Sequence, residues 1–256
     1  MLVGKLPFNL ISLVVPTYRQ SRTIVHDIKL LEELSKTLGI KYEIIIVVDG
    51  MVDSTYEKVK KISSKTIKVL AYKENQGKGH AVRTGMLAAK GDIIGFIDAG
   101  MDIDPNGLAM LLNHMVWYNA DIIVGSKLHP VSQVNYPYWR KVLSWGYRKL
   151  IRLLFGLNVR DSQVGLKLFK RKVVMDVFPR LLVKKFAFDI EILAVANSLG
   201  YKRIFDGPIK LDFKQNTINP KIIMPVVFWM LWDTAAVFYR LKILNYYNKK
   251  SPASNS

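Results

Sequence analysis

The stretch "YEIIIVVDG", residues 42–50, limits the fold of this chain more than any other. Ile44 to Val48 are all apolar and β-branched, so a strand here has no polar face. Such a strand must be covered on both sides, which is the condition of a parallel strand inside an α/β sheet. The run is one of a series. "FNLISLVVPTY", "IKVLAY", "DIIGFIDA" and "ADIIVGS" are further β-rich runs. Between them lie helix signals: "SRTIVHDIKLLEELSKTLG", with Ile24, Ile28, Leu31, Leu34 and Leu38 at helical spacing, then "DSTYEKVKKIS", "GKGHAVRTGMLAAKG" and "PNGLAMLLNHMVWYN". Strand and helix alternate through residue 125, which predicts an α/β fold: a Rossmann-like, mostly parallel sheet flanked by helices. Ligands of such sheets bind beyond the carboxyl ends of the strands. Those ends read "PTY", "DG", "ENQGKG" and "DAGMD".

The second half is less regular. "YPYWRKVLSWGYRKLIRLLFG" reads as a long helix on which Lys141, Arg148 and Arg152 fall within about 40° of one another. "FAFDIEILAVANSLG" reads as a helix and "KRIFDGPIKLDF" as a strand. A final segment, "NPKIIMPVVFWMLWDTAAVFYRLKIL", has no charge from Ile222 to Trp232. Eighteen helical residues span ~27 Å, close to the hydrocarbon thickness of a bilayer. Asp233 near its middle is costly in a spanning helix, however. The flanking Lys221, Arg240 and Lys242, with Phe, Trp and Tyr between them, favour a helix lying in a membrane interface. Packing on the domain ranks second and spanning third. The expected organisation is one domain over residues 1–215, with a ligand half (1–125) and a basic half (126–215). A C-terminal apolar or amphipathic helix (216–245) and a disordered tail (246–256) follow.

Charge divides the same way. Residues 1–125 hold 15 Lys/Arg against 13 Asp/Glu, whereas residues 126–256 hold 23 against 7. A cationic surplus confined to one half points to a negatively charged partner there: nucleic acid, anionic lipid or a phosphate substrate. The aromatic content of that half makes a merely soluble basic surface the lesser alternative, and no nucleic-acid partner is expected. Cysteine is absent, which excludes disulfides, thiolate metal sites and cysteine nucleophiles. The four histidines form no metal-ligand pattern. The N-terminal run, broken by Pro7, Asn9 and Ser12, is no secretory signal, so the chain is expected at the cytosolic side of a membrane.

Several strand ends carry residues able to do chemistry. Asp49 could accept hydrogen bonds from a sugar or base, although Asp-Gly is also an ordinary turn. "NQGKGHAVRTG" places glycines, Lys78 and Arg83 at a helix entrance, where backbone N–H groups and the helix dipole favour phosphate. It has neither the Walker A nor the dinucleotide-binding spacing. Asp98 and Asp102 could hold a divalent cation bridging a diphosphate. Asp102 and Asp104 could instead cap the helix that begins near Pro105.

Taken together, these segments resemble family 2 glycosyltransferases of the GT-A fold, most closely the polyprenyl-phosphate (dolichyl-phosphate) hexosyltransferases. "VVPTY" is similar to that family's VPxYNE, "VVDGMVDST" to VDDGSxDxT, and "NQGKGHAVRTG" to NxGKGxAxxxG. "FIDAG" is similar to the DAD form of DxD, "VRDSQVGLKLFKR" to RDxxxGFKxFxR, and "FAFDIEIL" to an FxxEL helix. The likeness covers roughly residues 9–215, with departures. Arg19 and Gln20 replace the acid after "VPTY", and Gly100 replaces the second acid of DxD.

The resemblance implies an inverting transfer of a hexose from a UDP- or GDP-sugar to a polyprenyl phosphate at the cytosolic membrane face, with an anionic membrane surface as a further partner. Pro16, Tyr18, Asp49, Lys78 and Asp98 would bind the nucleotide-sugar. Asp98 and Asp102 would hold a divalent cation, Mg2+ or Mn2+. Arg140 and Arg160, with Ser162 and Gln163, would hold the acceptor phosphate. Asp98, Arg140, Arg160 and Glu191 form the expected catalytic set. For Asp161, Ser162 and Gln163 a local turn is the alternative. Glu191 could be a buried, paired acid, and Asp189 a helix-surface residue. A glycosyltransferase with a non-phosphate acceptor, or a nucleotide-sugar-binding protein without turnover, are the alternative functions.

Overall fold

In the computed structural model, residues 6–100, 107–126, 138–185, 187–209 and 220–248 are described, and the side chains of 138–142 and 220–226 lie outside that description. The expected alternation is present. β1 (Leu10–Thr17), β2 (Lys41–Asp49), β3 (Ile67–Tyr72), β4 (Ile93–Ile97) and β5 (Ile122–Ser126) alternate with α1 (Ile24–Thr37), α2 (Thr55–Lys61), α3 (Lys78–Ala88) and α4 (Gly107–Trp117). Then come α5 (Tyr138–Phe155), β6 (Leu166–Lys170), α6 (Arg171–Val177), α7 (Phe188–Ser198), β7 (Ile204–Pro208) and α8 (Pro220–Phe238).

The seven strands form one sheet in the order β3-β2-β1-β4-β6-β5-β7. All neighbours are parallel except those of β6, which runs antiparallel to both β4 and β5. Sequence periodicity does not disclose β6 or α6: "LKLFK" is short, and its Lys167 reads as a surface residue. The reversal of β6 decides what lies beside Asp98. Leu166, the first residue of β6, pairs with Ile97, the last of β4. The loop leading into β6 therefore lies at the rim where β1, β2 and β4 end.

Both faces of the sheet are covered, as the unbroken apolar strands require. One core joins Ile24, Ile28 and Leu31 of α1 with Leu108, Leu111 and Met115 of α4. The opposite core joins α3, α5, α6 and α7, and ends in Val237, Leu241 and Tyr247. This corrects the expectation of a disordered tail from residue 246: Tyr246–Asn248 form a short 3-10 turn because the Tyr247 ring is buried in the core. The C-terminal helix is thus anchored on its inner side, and the Tyr147 hydroxyl of α5 lies 2.9 Å from the Thr234 hydroxyl of α8. Its outer side leaves Phe228, Trp229, Leu231 and Trp232 exposed. Among the described residues no helix is long and apolar enough to cross a membrane.

Candidate active site

Asp98 follows β4 and meets the helix entrance of α3. The Lys78 ammonium lies 2.6 Å from Asp98 Oδ1 and 2.7 Å from Oδ2, and both side chains remain 39% exposed. This is an ion pair at an open rim. The Asp98 amide donates to the Gly165 carbonyl at 2.9 Å, and a Cβ on residue 165 would stand 2.0 Å from Asp98 Oδ2. Only glycine leaves room there for the carboxylate. That accounts for the glycine of "QVGLK" and ties Asp98 to the loop that carries Arg160.

Gly100 has φ +95°, a conformation that L side chains rarely adopt, and its amide donates to the buried Asp27 carboxylate at 3.2 Å. The backbone explains why an acid is missing there. Asp102 lies outside the described residues, as does Asp104. Among the described residues no three His, Cys, Asp or Glu side chains cluster as a metal site. A partly exposed rim carboxylate still suits a hard cation of the Mg2+ type, which takes one or two carboxylates and completes its shell with water and substrate phosphates.

The glycines of "NQGKG" serve packing rather than a phosphate cradle. The buried Asp49 carboxylate accepts from the amides of Gln76 (2.7 Å) and Gly77 (3.0 Å) and from Asn75 Nδ2 (2.9 Å). The Gly79 amide donates to the Lys184 carbonyl at 2.8 Å. A Cβ at Gly77 would stand 2.5 Å from that carbonyl, and one at Gly79 would stand 2.7 Å from the carbonyl of Val183. The 183–184 segment lies directly on the helix entrance, and protein acceptors take these amides. Arg83 also turns away, donating to the Phe178 and Pro179 carbonyls. Lys78 keeps the expected position. Asp49 stands at the end of β2, and its carboxylate ties down the loop before α3.

At the neighbouring strand end, Pro16 is buried within β1, while Tyr18 is exposed, with the Arg19 guanidinium 5.2 Å from its ring centre. Pro16 and Thr17 pair with Val47 and Val48, so the Tyr18 and Asp49 positions sit on adjacent strands.

The loop before β6 brings the acceptor candidates to this rim. Arg160 is exposed, and its amide donates to Asp206 of β7. Burial pushes the Asp206 carboxyl above its usual range, against the pull of the Arg160 amide and charge. Arg160 lines a pocket of about 220 Å3 together with Trp145, Arg148, Lys149 and Arg152 of α5. Four cations therefore surround one small cavity, including Arg148 and Arg152 from the basic helix face. Ser162 is buried, while Gln163 is exposed and its amide meets the Met230 sulfur of α8. Arg140 belongs to α5, and its side chain lies outside the described residues.

Both acids of "FAFDIEIL" are buried, which corrects the surface reading of Asp189 and agrees with the buried, paired alternative for Glu191. Asp189 is not a surface residue. It pairs with the fully buried Lys167, whose ammonium also donates to the Val164 carbonyl (2.6 Å) and lies 5.2 Å from the Phe96 ring centre. Burial pushes Asp189 above the usual carboxylate range; the Lys167 and Lys78 charges pull it down. Glu191 is fully buried and accepts from the amides of Leu182 and Val183 and from the Tyr247 hydroxyl. Its oxygens face protein donors rather than open space at the rim. Lys167 and Asp189 are site neighbours that sequence reasoning missed. The signal was a lysine inside an apolar run and two acids, Asp189 and Glu191, in the first turn of a largely apolar helix.

Residues 12–178 match the family model described as glycosyl transferase family 2. A dolichyl-phosphate beta-glucosyltransferase of Dictyostelium discoideum is 33% identical over 205 residues, covering 74% of this chain and 63% of that protein. The human protein of the same name is 29% identical over 255 residues, covering 93% of this chain and 77% of the relative. The chain thus spans a little under two thirds of the Dictyostelium relative, and likewise 63% of the Drosophila melanogaster one. Among solved structures, glucosyl-3-phosphoglycerate synthase of Mycobacterium tuberculosis, crystallised with Mn2+, UDP and glucosyl-3-phosphoglycerate, aligns with TM-score 0.66 at 17% identity, over 90% of this chain and 80% of that one. Mannosyl-3-phosphoglycerate synthase of Rubrobacter xylanophilus aligns with TM-score 0.64 at 15% identity, over 93% of this chain and 75% of that one. The fold is that of the GT-A glycosyltransferases, and the chain belongs to glycosyl transferase family 2.

Proposed function

We propose that this chain transfers glucose from UDP-glucose to the phosphate of a polyprenyl lipid such as dolichyl phosphate. The observation that carries the reading is a juxtaposition: an open Lys78–Asp98 pair and a four-cation pocket on a loop that Gly165 ties to Asp98. The names of the relatives supply glucose and dolichyl phosphate, and a related synthase structure holds UDP-glucose with Mn2+.

The chemistry needs no general base. The second pKa of a phosphate monoester is ~6, so the acceptor is mostly dianionic at neutral pH. Its oxygen forms the new bond to the anomeric carbon while the bond to the diphosphate breaks, and UDP leaves with the electron pair. Attack opposite the leaving group turns an α-linked donor into a β-linked product. The protein must hold two anions close together and neutralise charge as it moves to the leaving group.

Lys78 fits the leaving diphosphate. Arg160, with Arg140, and with Arg148, Lys149 and Arg152 around the same pocket, fits the acceptor phosphate, and Ser162 and Gln163 shape that loop. Tyr18 and Pro16 border the base, and Asp49 fixes the loop beneath it. Asp98, with Asp102 as the expected second ligand, would hold Mg2+ or Mn2+. Such a cation supplies charge neutralisation on the diphosphate when bound. The exposed Leu143, Trp145 and Leu153 of α5 and Phe228, Trp229 and Trp232 of α8, beside Arg148, Arg152 and Lys242, suit contact with an anionic cytosolic leaflet that delivers the lipid.

The test is a panel of nucleotide-sugars with radiolabelled polyprenyl phosphate in anionic vesicles, with and without EDTA. Metal-dependent labelling from UDP-glucose is expected. Donor binding without turnover would favour the non-catalytic reading, and transfer to a neutral lipid would favour the non-phosphate acceptor.

A further inference from the structure

Past α8 the chain makes a π-helical turn, Tyr239–Ile243, and a short 3-10 turn, Tyr246–Asn248, that returns it to the protein body. Tyr247 is fully buried, and its hydroxyl donates to Glu191 Oε1 at 2.5 Å. Arg240 stands beside both, with Nη1 3.7 Å from Glu191 Oε1 and 3.4 Å from the Tyr247 hydroxyl. On its other side Glu191 accepts the Leu182 amide (3.0 Å) and the Val183 amide (2.8 Å). The next residue, Lys184, gives its carbonyl to the Gly79 amide and its ammonium to Gln76 Oε1 at 3.2 Å. Gly77 and Gly79 are in near contact with this segment and flank Lys78, which holds Asp98.

These contacts are continuous. They run from the end of the C-terminal helix, through one buried carboxylate and one extended segment, to the lysine at the strand rim. A buried carboxylate bound by two amides, a phenol and a guanidinium has little freedom, so it fixes the segment that packs on the helix entrance. Lys78 then projects from a backbone gripped on one side by Asp49 and on the other by residues 183–184.

We infer that Tyr247, Arg240 and Glu191 are positioning residues for donor binding, coupling the seating of the C-terminal helix to the placement of Lys78. The inference rests on the reading of Lys78 as the ligand of the donor diphosphate. It gives Glu191 a part different from the catalytic one its motif suggested: the carboxylate acts through the 182–184 segment. It also gives the C-terminal helix a second use. A helix that meets the membrane and closes on Glu191 would make the donor site complete only when the C-terminal turn is in place.

The experiment compares the full chain with Tyr247→Phe, Arg240→Gln and Glu191→Gln by two readouts. In amide hydrogen exchange on the free protein, protection at Leu182, Val183 and Gly79 is expected to fall about tenfold in Tyr247→Phe, with Ile45 and Val47 unchanged. That is the size expected for one hydrogen bond to a buried carboxylate. In the transfer assay, KM for UDP-glucose is expected to rise by a similar factor while KM for polyprenyl phosphate stays constant. Glu191→Gln should exceed Tyr247→Phe, and Arg240→Gln should fall below it. Unchanged exchange at Gly79 overturns the coupling, and an unchanged donor KM with lowered thermal stability reduces the clamp to a purely structural one. If Tyr247→Phe does not fold, Arg240→Gln must show the same pattern at smaller size, and its absence overturns the inference. If the wild-type chain transfers nothing, the proposed function fails, and the exchange readout still decides the coupling.

Discussion

Glu43 and Asp98 stand at opposite ends of the central strands, each with a lysine, yet their surroundings differ. Glu43, near the start of β2, accepts from Lys68 Nζ (2.5 Å), the Ser12 hydroxyl (2.6 Å) and the Lys90 amide (2.6 Å), and is buried. Ser12 in turn accepts the Gly91 amide at 2.7 Å. These donors enclose the Glu43 carboxylate, its side chain 7% exposed against 39% for Asp98, and hold the β1, β2 and β4 entrances together, while the Lys68 side chain itself stays exposed. Asp98 has Lys78, the backbone of Gly165 behind it, and an open rim in front. A closed cluster contributes stability; an open one keeps capacity for a ligand. Carboxylates of the same charge and similar partners thus separate into fold and function by what surrounds them.

Substitutions should break the comparison in opposite ways. Asp98→Ala is expected to have the largest effect, lowering kcat/KM a hundredfold or more, about the size of losing one charge-stabilising group from an active site. Its melting temperature should change little, because the Lys78–Asp98 pair is partly solvated. Gly165→Ala tests the same site from behind. Its Cβ would collide with the Asp98 carboxylate, so activity should fall about tenfold or more, with a stability loss of about 1–3 kcal/mol. Unchanged activity in the alanine variant would mean that Asp98 does not need its present position. Arg160→Ala should raise KM for the lipid phosphate about tenfold and leave KM for UDP-glucose unchanged, measured in separate titrations.

Glu43→Gln should do the reverse of Asp98→Ala: about 1–3 kcal/mol of stability lost, with kcat/KM preserved. The pH dependence follows with a definite sign. Burial works to raise Glu43, but hydrogen bonds from Lys68, Ser12 and the Lys90 amide outweigh it and hold the carboxyl below its ordinary value of 4.5. Its contribution is complete above pH 4.5 and is lost as pH falls through the lower folded value. Wild-type denaturant midpoints should therefore drop below that pH more steeply than those of Glu43→Gln.

The first half of the fold was legible because unbroken apolar strands and 3.6-residue spacing leave few alternatives. The strand ends were legible too, since Asp98 ends an apolar run and Lys78 stands between the glycines that open a helix. What escaped the sequence depends on distant pairing. Lys167 reads as a surface lysine until Asp189, far along the chain, neutralises it in the core. The glycines of "NQGKG" read as a phosphate cradle until residues 183–184 fold onto them. Glu191 reads as either a site acid or a buried, paired one until Tyr247 closes over it. In each case the local residue is ordinary and its partner is remote.

The most direct measurement is single-turnover transfer from UDP-glucose to polyprenyl phosphate in anionic vesicles, with wild type and Asp98→Ala side by side at matched folding. Rapid, EDTA-sensitive product is expected in the wild type and at least a hundredfold slower product in the variant. Equal rates in the two proteins would contradict the assignment of Asp98 to the active site.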